Sequence, residues 1–444
     1  MTTYSETYPQ ADSVGRGMRN WRVRIFAITW LAYAGFYLCR KNFSVVIPLL
    51  TQELGWSKLQ LANVVFGYSL LYSVGQFVSG SVADRFGARR VVGFGLLLSV
   101  LANLAMGMEV SLAFILAMAC VNGAAQSTGW SGLVKTMSDW FNQSERGVVM
   151  AWWCTNYVLG GFAATLIASY AISQTWLLQS LTWQRGFIIP AFLLLIVAFC
   201  FVWLTRDRPA DVNLEADEMG GAEVGSAVQQ TSNDRVNAGT GGVWREVFSN
   251  RAVWMIALMY FFLKMTRYSF LFWLPLYLTE RLHYDAGRAG YASSVYELVG
   301  FSGVLLAGYA SDKLVQSRRF PVAAIMLGLL ALFCLLQPVV ADWGAVASIT
   351  GIALIGVMTY GPDTLMSGAA AQDAVSPRAT ATAAGFINGV GSLGQLLSPY
   401  LVAFVAGRFG WDRLFSLFVV FALVGGGLLA TMWNQPPRSL SLTQ

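Results

Sequence analysis

Six ionisable side chains lie within stretches of sequence that are otherwise apolar enough to cross a membrane. Four are basic and two are acidic: Arg40, Lys41, Lys264, Arg267, Glu297 and Asp363. On insertion scales each such charge costs roughly 2.5–3.5 kcal/mol at the centre of a membrane helix. Such charges are retained where they pair with one another or face a polar cavity. Since the basic groups outnumber the acidic ones, the set predicts a cavity that binds an anion.

The two arginines each follow aromatic or cationic residues at positions that share one helix face. The two sets, which repeat the spacing i, i+4, i+7, are Tyr33, Tyr37 and Arg40, and Tyr260, Lys264 and Arg267. Guanidinium groups form bidentate hydrogen bonds with phosphate or carboxylate oxygens, and tyrosine hydroxyls add further donors. We therefore predict that both arginines hold one anionic group, although simple packing remains an alternative for the tyrosines.

Lys41 is rotated by about 100° around the helix from Arg40, so we expect it to face a neighbouring helix. Glu297 is its candidate partner, in a buried pair that either breaks during gating or serves structure alone. Asp363 is a candidate structural partner for Lys264, the alternative to a role for Lys264 in binding the substrate.

Composition indicates a membrane protein, because 56% of the 444 residues are hydrophobic and only 12% are charged. The mean hydropathy is +0.55. The apolar runs are long enough for spanning helices and too continuous for barrel strands. Twelve spans are predicted, at about residues 22–50, 60–81, 90–107, 110–134, 147–171, 185–204, 252–278, 289–310, 320–339, 343–370, 379–406 and 412–433.

The two groups of six spans repeat each other. Arg40 and Arg267 are 227 positions apart, and so are several neighbouring pairs, while Tyr68 and Tyr296 are 228 apart. In the fifth span the offset reaches 232 between Asn156 and Asn388. A slowly growing offset reflects differences in loop length, so the sequence predicts parallel repeats. The expected fold is all-α, with two six-helix bundles about a pseudo-twofold axis and a shared cavity.

The polar segments predict the domain boundaries. They give an N-terminal tail, a first bundle, a flexible linker, a second bundle and a C-terminal tail, at residues 1–20, 21–204, 205–250, 251–434 and 435–444. An even number of spans places both termini on one side, and the excess of Lys and Arg in the loops of that side predicts that it is cytoplasmic. The net charge of +6 follows from this bias, so no nucleic-acid partner is expected.

The loop after the second span carries a small-residue and charge pattern, Gly80-Ser-Val-Ala-Asp84-Arg85, which is echoed at Asp312-Lys313. Asp84 is expected to accept hydrogen bonds from a neighbouring helix N-terminus or an arginine, forming with Arg85 a latch that opens during gating. Topology-setting charge alone is the alternative. This pattern resembles the signature of the major facilitator superfamily.

A more specific resemblance comes from Tyr37-Leu-Cys-Arg40-Lys41-Asn-Phe-Ser, Arg267-Tyr268, Tyr296-Glu297 and Tyr360-Gly-Pro. These motifs are similar to those of the organophosphate:phosphate antiporter family, which includes bacterial glycerol-3-phosphate and hexose-6-phosphate transporters. The resemblance covers nearly all the helical part of the chain. It implies that the two arginines grip a phosphoryl group. The cavity residues that it implies are Tyr33, Tyr37, Tyr72 and Tyr360.

The chain departs from the glycerol-3-phosphate transporters at three cavity positions. Gln76 replaces a lysine, Asn156 replaces a histidine, and Lys264 replaces a tyrosine. These changes favour a phosphoryl or phosphonate ligand in a different pose. The only histidine, His283, is expected in an external loop, so proton coupling would have to use Glu297 or Asp363.

The resulting hypothesis is a secondary active transporter that moves a small organophosphate or phosphonate anion by alternating access, in exchange for inorganic phosphate. Two alternatives stay open: a proton-coupled transporter of a carboxylate anion, and a membrane sensor of phosphate esters from the same family. We expect a monomer in the bacterial inner membrane, with no enzymatic activity, cofactor or metal. The five cysteines are expected to be packing residues.

Overall fold

The structure is a computed structural model that describes residues 10–141, 149–150, 152–212, 240–315, 318–376 and 379–435. Nine helices in this part of the chain are long and apolar enough to cross a membrane. Three further long helices, Gln10–Leu54, Lys58–Phe86 and Ala286–Tyr309, correspond to the other predicted spans. The twelve helices are α1 Gln10–Leu54, α2 Lys58–Phe86, α3 Ala88–Met106, α4 Leu112–Trp140, α5 Thr155–Ser173, α6 Arg185–Leu204, α7 Arg251–Leu282, α8 Ala286–Tyr309, α9 Arg319–Asp342, α10 Ala345–Leu365, α11 Thr380–Phe409 and α12 Trp411–Ala430.

Local sequence signals define several helix ends. A capping box joins Ser57 and Gln60 at the start of α2, where each residue bonds to the backbone N–H of the other. The side chains of Asn250 and Asp285 accept hydrogen bonds from the first turns of α7 and α8. Between α2 and α3, Gly87 has a φ of 87°, which L side chains rarely adopt, so glycine allows this tight turn.

The predicted repeat is present as repeated helix packing. Gly123 of α4 lies against the main chain of Tyr68 in α2, and Gly356 of α10 lies against the main chain of Tyr296 in α8. A Cβ atom at either glycine would overlap the tyrosine carbonyl oxygen, so the close approach requires glycine in both halves. The predicted all-α fold of two related six-helix bundles is therefore confirmed.

Helix α1 loses regular geometry immediately before Arg40 and Lys41. Cys39 has φ −100° and ψ 17°, outside helical values. Its carbonyl oxygen accepts hydrogen bonds from Asn122 at 2.8 Å and Gln126 at 2.9 Å, both from α4. Amide side chains of the same half thus satisfy a carbonyl oxygen at the break, as a membrane interior requires.

The halves contact each other on the side of the membrane opposite the termini. Ser44, one turn beyond Arg40 in α1, donates to the carbonyl oxygen of Phe272 at 2.9 Å. Tyr400 of α11 donates to the side chain of Asn63 in α2 at 3.0 Å. A Cβ atom at Gly290 of α8 would overlap the side chain of Ser169 in α5, so these helices also approach closely. These contacts close the interface at its far end.

The first bundle and the linker differ in detail from the predicted boundaries. Helix α1 begins at Gln10, inside the predicted tail. The last part of the predicted flexible linker forms a helix, Thr240–Ser249, while residues 213–239 are outside the described part. This helix is held because Glu246 accepts hydrogen bonds from the backbone N–H of Ser376 at 2.7 Å and its hydroxyl at 2.8 Å.

Glycine packing in α8 predicts a difference between two glycine-to-alanine variants. A Cβ atom at Gly303 would overlap the main chain of Val357, whereas nothing lies within 4 Å of one at Gly308. Gly303→Ala should destabilise the protein by about 1–3 kcal/mol through overpacking. Gly308→Ala, the matched control, should be neutral or slightly stabilising, because alanine favours helix. Thermal melting of the two purified variants would measure this; equal midpoints would contradict the predicted packing.

Candidate functional site

Arg40 is held within its own half by an amide and two aromatic rings. Its Nε donates to Oε1 of Gln126 at 2.8 Å, and the same oxygen accepts from the Tyr68 hydroxyl at 2.9 Å. The guanidinium carbon lies 4.6 Å from the ring centroid of Tyr37 and 4.8 Å from that of Tyr72. Its buried Nη2 has no hydrogen-bond partner among the described residues. The guanidinium is therefore oriented while one donor stays available.

Arg267 occupies the corresponding place in the second half, with a different partner. Its Nη1 donates to Oδ2 of Asp363 at 2.6 Å, in a pair whose side chains are 13% and 6% exposed. The guanidinium carbon lies 4.5 Å from the ring centroid of Tyr360. Within the described part of the chain, its buried Nε and the Oδ1 atom of Asp363 have no hydrogen-bond partner. Each arginine is thus held by the fourth helix of its own bundle.

The suggested pairing of Lys264 with Asp363 is wrong. Lys264 Nζ instead donates to Oδ1 of Asn388 on α11 at 2.6 Å and lies 4.9 Å from the ring centroid of Tyr260. The side chain runs along α11 because Gly391 leaves room there, where a Cβ atom would be 3.1 Å from Lys264 Cδ. Asp363 is on α10, which faces Arg267, so the aspartate neutralises the arginine. The ammonium group of Lys264 is hydrogen-bonded to an uncharged amide and has no carboxylate partner among the described residues.

Lys41 crosses to the other half, as its position on the helix predicts. Its Nζ lies 2.8 Å from Oε1 of Glu297 on α8 and donates to the carbonyl oxygen of Leu271 on α7 at 2.9 Å. The side chains of the pair are only 6% and 4% exposed. Gly161 of α5 lies against the Glu297 carboxylate, so four helices, α1, α5, α7 and α8, meet at this buried pair.

The other predicted cavity residues, Tyr33, Asn156 and Gln76, differ in their burial and in their contacts. The Tyr33 ring packs in an aromatic cluster, 5.3 Å from Trp130 and 5.7 Å from Trp153 between ring centroids. Asn156 of α5 is fully buried, and its side-chain oxygen and nitrogen have no hydrogen-bond partner in the described residues. Gln76 is half-buried on α2, one turn beyond Tyr72.

The residue that echoes Asp84 in the second half, Asp312, forms an ion pair. Asp312 pairs with Arg319 at the start of α9, and Arg319 Nε lies 3.4 Å from Asp373. In the first half the side chain of Asp84 is outside the described ones, and Arg85 is exposed. The role of Asp84 and Arg85 stays a prediction.

Three residues of the site were not among the predicted site residues. Gln126 and Asn388 hold Arg40 and Lys264, and each is an amide inside an apolar span, which is the signal that could have identified it. Tyr268 follows the second arginine. Tyr37 and Tyr268 each lie within electrostatic range of both arginines, so the two halves direct these groups toward the same region.

A family model supplies the identity that this architecture indicates. The model described as Major Facilitator Superfamily matches residues 29–399. The chain belongs to the Major Facilitator Superfamily. It is therefore an integral membrane protein of a transporter family and not an enzyme, as the sequence predicts.

Two of the curated relatives of this facilitator chain are named for transport of a phosphate ester, and a third is named as a membrane sensor. A glycerol-3-phosphate transporter of Bacillus subtilis is 29% identical, covering 94% of each chain. A protein of Chlamydia trachomatis named "Probable hexose phosphate transport protein" is 28% identical over 97% of this chain and 94% of its own. The Membrane sensor protein UhpC of Escherichia coli is 28% identical over 95% and 94%. These names match the predicted organophosphate:phosphate antiporter family.

Solved structures show the same facilitator fold. A bacterial homologue of the human lysosomal transporter Spinster, in an inward-facing and unoccupied conformation, superposes with a TM-score of 0.76 at 14% identity. The match covers 92% of this chain and 96% of the homologue. At this identity the likeness supports the fold alone.

The buried Lys41–Glu297 pair predicts a large coupling energy. Glu297→Gln should destabilise the protein by about 3–5 kcal/mol, because it leaves an uncompensated buried charge. The double variant Lys41→Met/Glu297→Gln should recover much of this loss. A double-mutant cycle measured by thermal unfolding would test it.

The exposed pair of Lys58 and Glu280 provides a matched control in the same interface. Its charged atoms are 2.9 Å apart, but the side chains are 20% and 32% exposed. The same cycle there should give at most about 1 kcal/mol. Equal coupling energies for the two pairs would contradict the predicted effect of burial.

Proposed function

We propose that this protein is a secondary active transporter that moves a small organophosphate or phosphonate anion across the membrane by alternating access. One observation carries the proposal. Arg40 and Arg267, at equivalent positions of the two halves, are each oriented by protein partners, and each keeps a buried N–H donor without a partner among the described residues. Phosphoryl oxygens are the acceptors that such paired guanidinium donors fit best.

The charge distribution supports a doubly negative ligand. Lys41 is neutralised by Glu297 and Arg267 by Asp363. Arg40 and Lys264 instead donate to the uncharged amides of their own halves. Two positive charges therefore remain for a ligand, and a phosphate monoester carries about −1.5 to −2 at neutral pH.

Exchange for inorganic phosphate follows from the same donors, because free phosphate presents the same oxygens as a phosphate ester. The contacts between halves close the side opposite the termini. With both termini in the cytoplasm, as the loop charges predict, this arrangement opens toward the cytoplasm. We place the protein in the bacterial inner membrane as a monomer of two bundles, joined by the cytoplasmic linker.

Two other functions use the same site. Two arginines would also bind a carboxylate, and a carrier of this type could couple to protons through Asp363 or Glu297. A sensor is the other alternative, because one relative of similar length is named a membrane sensor protein. Robust transport by the purified protein would contradict the sensor, and selectivity among anions would separate phosphate from carboxylate ligands.

Proteoliposomes loaded with inorganic phosphate provide the test. Radiolabelled phosphate outside should exchange for phosphate inside, and glycerol 3-phosphate, a hexose 6-phosphate or a small phosphonate should compete with it, while succinate should not. Uptake that needs a proton gradient and shows no counterflow would contradict antiport. Competition by succinate alone would favour the carboxylate carrier.

The arginine pair predicts loss of exchange in two conservative variants. Arg40→Lys and Arg267→Lys should each reduce phosphate exchange about 100-fold or more, because lysine lacks the planar fork of donors. Arg251→Lys, at an exposed position at the start of α7, is the matched control and should exchange normally. Normal exchange in both site variants would refute the proposed site.

Removing the charge of Asp363 should have the opposite effect and strengthen phosphate binding. Its carboxylate occupies Arg267 Nη1, so a phosphoryl ligand has to compete with it for that donor. Asp363→Asn should bind inorganic phosphate several-fold more tightly in calorimetric titrations. Asp342→Asn, which alters the more exposed pair with Arg281, is the control and should leave affinity unchanged. Weaker binding by Asp363→Asn would contradict this prediction and would mean that the orientation of Arg267 by the carboxylate outweighs its competition with the ligand.

A further inference from the structure

A large basic cavity lies on the outer side of the first bundle, away from the site between the halves. It measures about 960 Å³ and is located where α2 turns into α3 and where α6 ends, on the side of the termini. Its lining includes six basic residues from three separate segments: Arg85, Arg89, Arg90, Lys135, Arg206 and Arg208. Topology alone requires positive charge on this side of the membrane, but it does not require that these segments converge on one cavity.

The two carboxylates of this lining are directed at the backbone. Asp207 accepts from the backbone N–H of Arg89 at 2.7 Å. Asp211 accepts from the backbone N–H groups of Asp207 and Arg208, both at 3.1 Å. The carboxylates thus stabilise the turn after α6 and the start of α3. Arg208 Nε also lies 3.9 Å from Asp139, which is outside the lining. The six basic residues still outnumber these three carboxylates, which favours an anionic ligand.

The corresponding place in the second bundle is built differently. There Arg319, at the start of α9, pairs with Asp312 and lies 3.4 Å from Asp373. Arg319 corresponds to Arg90 in the repeat, and Arg90 is exposed at the cavity. Among the described residues, the arginine at this position of the repeat is therefore paired with carboxylates in the second bundle but exposed at the basic cavity in the first.

The deeper wall of the cavity is apolar and faces outward. Phe94 of α3 is 66% exposed, and Val202 of α6 is 37% exposed. A second, mostly apolar groove of 470 Å³ shares Phe86, Arg90 and Phe94 with the basic cavity and extends along α2 and α4. A polar anionic ligand would leave this adjoining apolar surface uncovered, whereas an acyl chain would cover it.

We propose that this cavity binds the headgroup of an anionic phospholipid from the leaflet on the side of the termini, with an acyl chain in the adjoining groove. Basic pockets between spanning helices recognise such headgroups, and each basic residue near the membrane surface increases the affinity about fivefold. The bound lipid would join the α2–α3 turn to the end of α6. This proposal does not depend on the proposed transport function.

Native mass spectrometry of the purified protein tests this proposal. The protein would be titrated with phosphatidylglycerol or with phosphatidylcholine of identical acyl chains. We expect one phosphatidylglycerol to bind at least tenfold more tightly than phosphatidylcholine. In Arg90→Gln/Arg208→Gln this lipid should bind about 30-fold more weakly than in the unaltered protein. Equal binding of the two lipids, or an unchanged affinity in the variant, would overturn the proposal.

Two further measurements distinguish a lipid site from general charge attraction and from a site for a soluble anion. Arg245→Gln/Arg251→Gln removes the same charge from exposed positions on the same side of the second half and should bind the lipid normally. A loss in this control as large as in the cavity variant would mean that general charge attraction is responsible. Millimolar inorganic phosphate or glycerol 3-phosphate should not displace the lipid; displacement by either would assign the cavity to a soluble anion.

The salt dependence of lipid binding tests the proposal even if the cavity variant fails to fold. In the unaltered protein, the preference for phosphatidylglycerol should fall as salt rises, because the basic residues are partly exposed to solvent. A preference that is independent of salt would overturn the electrostatic basis of the proposal.

Discussion

The break in α1 at Cys39 is the constraint on which the site depends. Consecutive helical residues point about 100° apart, so Arg40 and Lys41, which directly follow the break, face different halves of the protein. Where the helical geometry fails, Arg40 reaches Gln126 in its own bundle and Lys41 reaches Glu297 in the other. The amides of α4 that bind the freed carbonyl oxygen also orient the arginine. One short stretch of chain therefore determines the local backbone geometry, the orientation of Arg40 and a contact between the halves.

The two halves share the same helix arrangement but differ in which residues carry charge. Each arginine lies beside an aromatic ring and is held from the fourth helix of its bundle. In the first half the holding group is an amide, and in the second it is a carboxylate. Lys264, which donates to Asn388, supplies in the second half the positive charge that Asp363 cancels. Divergence after duplication thus changed which residues carry the charge, and left an excess that suits a doubly charged anion.

The sequence predicted the fold and the buried charges because both follow from the cost of placing polar groups in lipid. It also predicted the Lys41–Glu297 pair, because Lys41 is rotated by about 100° from Arg40 and therefore has to face a different neighbouring helix. It did not predict the partner of Asp363, because that depends on which side chain of α7 faces α10 in three dimensions. The break at Cys39 has no proline or glycine at that position to signal it. The role of Asp207 depends on how the end of α6 folds back toward α3.

Two hydrogen bonds between the halves do not depend on the side chain of the acceptor residue. Ser44 and Lys41 both donate to main-chain oxygens of α7, at Phe272 and Leu271. Every amino acid supplies a carbonyl oxygen, so the side chains at these two positions can change while the acceptors stay in place. Sequences can therefore drift on one surface of the interface without losing these hydrogen bonds. Only the donor residues of α1 would have to be retained for these hydrogen bonds, so a comparison of α7 sequences alone would not reveal them.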